Sequence, residues 1–423
     1  MARLTAQYKK KLVTYLKFTT LVCCANFLTG CDLYEAYKLQ RHNQKASYQW
    51  SSPKSNINIP FQWHNGHIVM SVNINGSLPL RIAFDTGAPI PVLFDSARTQ
   101  ALKLESAGTI KVGGTGAQGD VVVDVIENNK IQIGSLSFSN LSLVKVPSNN
   151  LSIFSSYEET YFDGAIGYDI LNRFIVEIDN DNSQIILWQK NALSKDLSEW
   201  FTLPIVVSSN HIYLDASLSY DEVKADSVRL LIDTGSTGYL SLAPDTHPQL
   251  SQPKVAFSSN GSGLSGISEY NSSTVDTLSF AKYNFTNVPT QFSLSGNVED
   301  GRQGILGNML LKKFNIIFDY SNKKMYLRPS KYMNQPMDLD RSGLMLLPHV
   351  DGAIIKSIAA HSSASQSKLQ VGDIITSFAK KPVTRASYDE FKALLSSKES
   401  QLPICWLSKK QQHCDVLLLQ DRL

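Results

Sequence analysis

Two stretches of the chain, 67–74 (HIVMSVNI) and 211–218 (HIYLDASL), alternate apolar and polar residues as half-buried strands do. Asn75-Gly76 follows the first and is a hairpin signal. The segments 168–174 (YDILNRF) and 308–314 (NMLLKKF) are long enough for one or two helical turns only, so the surrounding sequence reads as short strands. The pattern predicts two all-β units at 57–190 and 201–329, joined by a polar linker at 191–200. Residues 329–341 are polar with two prolines and predict a second linker. Beyond Gly343 the pattern changes. Apolar strands are expected near 353–358 and 373–378, and a hairpin with strands around 402–407 and 414–419. Residues 387–396 read as a helix with Tyr388, Phe391, Leu394 and Leu395 on one face.

The two β units share a sequence pattern. Leu230-Leu231-Ile232-Asp233-Thr234-Gly235 echoes Arg81-Ile82-Ala83-Phe84-Asp85-Thr86-Gly87 at an offset of 148. Gly261-Ser262-Gly263-Leu264-Ser265-Gly266 echoes Gly114-Thr115-Gly116-Ala117-Gln118-Gly119 at 147. Gly304-Ile305-Leu306-Gly307 echoes Gly164-Ala165-Ile166-Gly167 at 140, and Phe314 and Asp319 match Phe174 and Asp179 at the same offset. Four features in one order at nearly constant spacing mark an internal duplication, with the first copy eight residues longer in its middle.

The chain has 423 residues, which at ~100–200 residues per domain suggests two to four domains. Hydrophobic residues make up 43% and charged residues 18%, which excludes disordered and collagen-like classes. The net charge of +3 owes its sign to Arg3, Lys9, Lys10, Lys11 and Lys17, because the first 30 residues hold no acid; without them 35 basic face 37 acidic residues. A balance of −2 gives no electrostatic case for a nucleic-acid partner. Five cysteines exclude a disulfide-dense mini-fold.

The basic start leads into a short apolar run, 18–30 (FTTLVCCANFLTG), too short for a permanent membrane span and laid out like a secretory signal. Leu28-Thr29-Gly30-Cys31 resembles the bacterial lipobox, in which the signal (1–30) is cut before a lipidated cysteine, here Cys31. The alternative is an ordinary signal peptide with an incidental cysteine. Lipidation would hold the protein to a membrane, facing the periplasm of the bacterial envelope. Asp32 resembles an inner-membrane retention signal of some Gram-negative bacteria. Cys405 and Cys414 then remain as a pair, and the residues leave open a cross-strand disulfide or two buried thiols.

The chemistry centres on the repeated Asp-Thr-Gly. A carboxylate after an apolar strand lies at the mouth of a core, the threonine hydroxyl can tie the loop down, and the glycine permits close backbone approach. Two such carboxyls within hydrogen-bond reach share one proton, so one can deprotonate a water while the other donates to the carbonyl under attack. These residues resemble the pepsin/retropepsin superfamily of aspartic proteases over about 57–329, and the two short copies look like a fused retropepsin-like dimer.

That resemblance implies a mainly β fold: two retropepsin-like β-barrel halves about a pseudo-twofold axis. Asp85 and Asp233 would be the catalytic dyad, with Thr86, Gly87, Thr234, Gly235 and Ser236 supporting it. Gly167 and Gly307 would end bracing segments. The stretches Gly114-Thr115-Gly116 and Gly261-Ser262-Gly263 fall where the family has substrate-covering flaps. They also fit a dinucleotide G-x-G-x-x-G, but no βαβ context surrounds them. Ala88-Pro89 after the first motif departs from the usual pattern. Ser236 can donate to a carboxylate and Ala88 cannot, so Asp233 is expected to be the ionised member and Asp85 the protonated one.

The eight histidines are scattered; His67 and His211 occupy equivalent strand positions, which reads as inherited fold, and no metal is expected. No serine or cysteine sits in a nucleophile elbow. Residues 341–420 resemble a PDZ domain through Leu369-Gln370-Val371-Gly372-Asp373-Ile374-Ile375. By that resemblance the loop with Gly343, Leu344 and Met345 would hold a peptide C-terminus, although Ala379 replaces the usual turn asparagine; a cap that only packs on the barrel is the alternative.

The sequence thus predicts a lipid-anchored aspartic endopeptidase without cofactor, acting on polypeptides and recruiting or gating them through a PDZ module. Two alternatives remain: a non-catalytic peptide-binding or quality-control lipoprotein on the same scaffold, and copies that pair with their equivalents in a second chain.

Overall fold

The computed structural model describes residues 37–113, 119–147, 162–264, 266–294, 301–337, 339–384 and 386–422. The expected signal, Cys31 and the Gly114-Thr115-Gly116 stretch lie outside them. Among the described residues the chain is mainly β, with strands in three sheets of 14, 8 and 6.

The first copy folds around strands Asn56–His64, His67–Ile74 and Leu80–Phe84, the first burying alternate residues (Ile57, Ile59, Phe61) and the other two also burying consecutive ones (Ile68 to Met70, Ile82 to Phe84). Asn75 and Gly76 have φ of +52° and +78°, the left-handed pair a tight hairpin requires. The second copy repeats this with His211–Tyr220 and Val223–Asp233. Between the copies runs a shared layer. Phe174–Asp179 pairs antiparallel with Phe314–Asp319, and Glu177 faces Ile317, the residue 140 positions on in the other copy. Val176 faces Phe318 and Ile178 faces Ile316, so the register reads the same from either copy. Both strands are buried along their whole length, which explains their continuous apolar runs (FIVEID, FNIIF).

Both expected linkers are packed. Leu193, Leu197 and Trp200 cover the outer face of the shared layer over Ile175, Trp188 and Ile317, and Lys195 pairs with buried Glu177. After Pro329, Ser330 N–H donates to Lys313 O at 2.9 Å, and the Lys313 ammonium donates to Met333 O and Gln335 O. Ahead of the first copy, strand Ser47–Trp50 adds to Leu136–Val146, and Tyr48 and Trp50 lie 5.0 and 5.5 Å from the Phe174 ring.

The C-terminal sheet, closed by helix Tyr388–Leu395, has its own core that includes Ile355, Ile375, Phe378, Phe391 and Trp406. Phe378 stacks on Phe391 at 5.1 Å, and the Tyr388 hydroxyl donates to Leu346 O at 2.9 Å. This unit touches the first copy at Asn65, whose N–H donates to Asp389 Oδ1 at 3.0 Å, and the second at Asn260, whose Nδ2 donates to Ser357 Oγ at 2.9 Å.

Candidate active site

Asp85 follows strand Leu80–Phe84 and Asp233 ends strand Val223–Asp233. Each strand runs parallel to a short partner, Gly164–Ile166 and Gly304–Gly307, from the third repeated motif. These partners brace the loops. Asp85 N–H donates to Ile166 O at 3.0 Å, Tyr168 N–H to Ala88 O at 3.1 Å and Asn308 N–H to Ser236 O at 2.7 Å. No side chain fits at either closing glycine: a Cβ on Gly167 would sit 1.7 Å from Asp85 O, and one on Gly307 2.3 Å from Gly238 O.

The two loops interlock. Thr86 N–H donates to Thr234 Oγ1 and Thr234 N–H to Thr86 Oγ1, both at 3.0 Å. The Thr86 hydroxyl donates to Ile232 O at 2.6 Å and the Thr234 hydroxyl to Phe84 O at 2.8 Å. Gly87 N–H donates to Asp85 Oδ1 and Gly235 N–H to Asp233 Oδ1, both at 2.8 Å. Each glycine also lies against the opposite carboxyl. A Cβ on Gly235 would stand 2.4 Å from Asp85 Cγ, and one on Gly87 2.8 Å from Asp233 Oδ1.

Asp85 and Asp233 are hydrogen-bonded to each other, and both keep part of their surface open to solvent. Burial, then the neighbouring Asp233 charge and its hydrogen bond, push the Asp85 carboxyl well above the usual carboxylate range; the N–H groups of Gly87 and Gly235 oppose this. The arrangement can hold one proton between two carboxyls beside solvent. Ser236 contributes backbone only among the described contacts: its N–H donates to Asp233 O at 3.3 Å, and its hydroxyl makes no hydrogen bond to Asp233.

Two residues at the site carried no functional prediction. His67 Nε2 donates to Gly235 O and His211 Nε2 to Gly87 O, each at 3.1 Å. Their matched positions at the start of equivalent strands were the available signal. Burial, chiefly, lowers the pKa of His67 to about 4, and that of His64 beside it also to about 4. Asn308 adds a third contact, Nδ2 to Gly66 O at 2.8 Å.

The other predicted positions belong to other elements. Gly261, Ser262 and Gly263 belong to strand Phe257–Gly263, which forms a hairpin with Gly266–Phe280. A Cβ on Gly261 would stand 2.7 Å from the Tyr270 ring. Gly343, at φ +78°, opens the C-terminal sheet with Leu344 and Met345. Here Gly343 N–H already donates to Asp340 Oδ2 at 2.7 Å, and Leu344 N–H to Ser342 Oγ at 3.0 Å. Cys405 and Cys414 face each other across the terminal hairpin and are joined as a disulfide.

Residues 70–170 match the family model described as aspartyl protease. The span includes Asp85-Thr86-Gly87 and ends three residues beyond Gly167. An aspartic proteinase from Irpex lacteus is similar at 14% identity and a TM-score of 0.43, covering 67% of this chain and 100% of that one. No curated protein matches the chain.

Proposed function

We propose that this protein is an aspartic endopeptidase whose two halves, related by a pseudo-twofold axis, contribute Asp85 and Asp233 to one catalytic dyad. The observation that carries the reading is the carboxyl pair itself, hydrogen-bonded and held by loops whose threonine and glycine hydrogen bonds are reciprocal between the two copies. The aspartyl protease match over residues 70–170 supports it from the first copy.

The chemistry follows from the shared proton. Asp233 as carboxylate accepts a proton from water while protonated Asp85 donates to the oxygen of the attacked peptide carbonyl. Water oxygen bonds to the carbonyl carbon and gives a neutral gem-diol. Asp233 then passes its proton to the amide nitrogen while Asp85 takes one from a gem-diol hydroxyl as the C–N bond breaks, which leaves an acid and an amine and restores the dyad. The raised pKa of Asp85 supports its role as the donor. The covering element would be the hairpin of Phe257–Gly263 and Gly266–Phe280, over a substrate lying extended.

The same reading places the protein on the envelope by a lipid at Cys31, with the C-terminal unit recruiting a peptide C-terminus or gating access. A peptide carboxylate at Gly343 and Leu344 would have to displace Asp340 and Ser342. The deciding experiment digests a peptide library with the form that starts after Cys31, beside Asp85→Asn and Asp233→Asn. Cleavage lost in each variant supports the peptidase. A wild type silent over a broad pH range, yet binding peptides, would make it a binding protein. Unchanged membrane partitioning of Cys31→Ala would remove the anchor.

A further inference from the structure

We propose that His67 and His211 are positioning residues for the Asp85/Asp233 pair, each setting the loop of the half to which it does not belong. The inference deepens the peptidase reading and rests on it for its catalytic part only.

A carbonyl oxygen has no proton to give, so the contacts to Gly235 O and Gly87 O at 3.1 Å require Nε2–H on both rings. Each ring therefore pins the carbonyl of a glycine whose N–H points at its own aspartate, at 2.8 Å in both loops. The same glycine leaves no room for a Cβ before the opposite carboxyl. One glycine thus meets both aspartates, and the histidine from across the cleft fixes where it stands. Neither ring reaches the reacting atoms.

The surroundings of the two rings differ. His67 lies 4.9 Å from the Phe162 ring and near His64 on its own turn, and the C-terminal helix brings Lys392 and Asp389 to that turn. Lys392 donates to Asn65 Oδ1 at 2.7 Å, and Lys312 faces Asp389. Burial above all, with Lys392 adding to it, keeps His67 neutral down to about pH 4, and its Nε2–H is present in both the neutral and the protonated ring. His211 has the Tyr213 ring at 6.4 Å.

Loss of either donor lets a glycine N–H drift from its carboxylate. Those N–H groups favour the ionised form, so the pair's apparent pKa values should rise. The test compares His67→Leu and His211→Leu with His67→Gln and His211→Gln, whose amide keeps a donor near the Nε2 position. Two readouts are taken: kcat and KM against pH on a cleaved peptide, and titration of 13Cγ-labelled aspartate assigned with Asp85→Asn and Asp233→Asn. The leucine variants should lose about 10- to 100-fold in kcat with KM within about twofold. Their Asp85 titration should move to higher pH, and glutamine should restore both. Folded leucine variants with unmoved titration and unmoved kcat per folded molecule would overturn the proposal. Should His67→Leu not fold, His211→Leu carries the same comparison away from the C-terminal helix, with His211→Gln as its rescue. A wild type that titrates as a coupled pair but cleaves nothing would sink the peptidase reading, while the titration arm still decides the histidines.

Discussion

Thr86 and Thr234 are each other's hydrogen-bond partner twice over, N–H to Oγ1 in both directions at 3.0 Å, with both side chains sealed from solvent. Their hydroxyls run on to Ile232 O and Phe84 O, the carbonyls at the ends of the two strands that lead to the aspartates. Thr86→Val keeps the shape and removes the hydroxyl. It strands Thr234 N–H and Ile232 C=O in the core, at a cost of about 2–5 kcal/mol. Thr234→Val should cost the same, and Thr86→Ser much less. Because the two hydroxyls serve one network, the double valine variant should lose less than the sum of the singles. Urea unfolding of the four proteins measures this; additive losses would show that the threonines act independently.

The raised pKa of Asp85 makes a stability prediction with a definite sign. In the unfolded chain this carboxyl ionises near its ordinary value of 3.8, whereas in the fold it holds its proton to higher pH. Its favourable contribution is therefore whole below the unfolded pKa and is lost as pH rises through the folded one. Asp85→Asn has no charge to bury. Its stability relative to wild type should climb by about 1.4 kcal/mol per pH unit across that window. His64 and His67 act on the acid side: with folded pKa values of about 4 against 6.5, their contribution is present above pH 6.5 and fades as pH falls through about 4. Chemical denaturation from pH 3 to 9 should show wild type falling on both flanks and Asp85→Asn on the acid flank only. Parallel curves for the two proteins would mean that Asp85 titrates normally.

The glycines beside the aspartates should be far less tolerant than their neighbours. Gly235→Ala forces a methyl to 2.4 Å from Asp85 Cγ, and the carboxyl pair must separate. Hydrolysis should fall by more than about 100-fold, the loss expected from a displacement near 1 Å. Gly87→Ala meets Asp233 at 2.8 Å and should follow with a smaller loss. Gly238→Ala, three residues along the same loop, meets nothing within 4 Å and should stay active. Initial rates per folded molecule rank the three, and activity in Gly235→Ala near wild type would mean that the aspartates do not work as a pair.

How far the sequence reaches depends on the range of each interaction. The Asp-Thr-Gly loops and their bracing glycines were readable because duplication displayed each of them twice, and local chemistry ties an aspartate to the next two residues. Ser236 shows the limit: the residue type allowed a side-chain hydrogen bond to Asp233, but the loop uses its backbone. The histidines at 67 and 211 gave no hint of their partners, since a strand's first residue and a loop 168 or 124 positions away meet only after both halves assemble. Strand Ser47–Trp50 was hidden because it is an edge strand with three of four residues exposed, so no alternation marks it. In the C-terminal unit, Ala379 and Lys380 turn the chain at φ of +43° and +66°, a conformation that neither residue type advertises.

The contact between the C-terminal unit and the second-copy hairpin gives the last prediction. The Arg422 guanidinium lies 3.6 Å from the Phe257 ring centroid, donates from Nη2 to Ser258 O at 3.2 Å and pairs through Nη1 with Asp340 Oδ2 at 3.2 Å. One planar cation therefore joins the first residues of a hairpin to the Asp340 carboxylate, which also holds Gly343 N–H. Stacking of this kind contributes about 1 kcal/mol, and a change of that size alters an opening equilibrium about fivefold. Arg422→Ala should raise amide hydrogen exchange in residues 257–263 by about that factor and leave the Thr86 and Thr234 amides protected. Arg422→Lys keeps the charge without the planar stack and should recover only part of the protection. If the hairpin moves over the cleft, Arg422→Ala should change KM more than kcat on a cleaved peptide. Identical exchange in wild type and Arg422→Ala would show that the hairpin is held by its own strand pairing and that the C-terminal unit does not govern it.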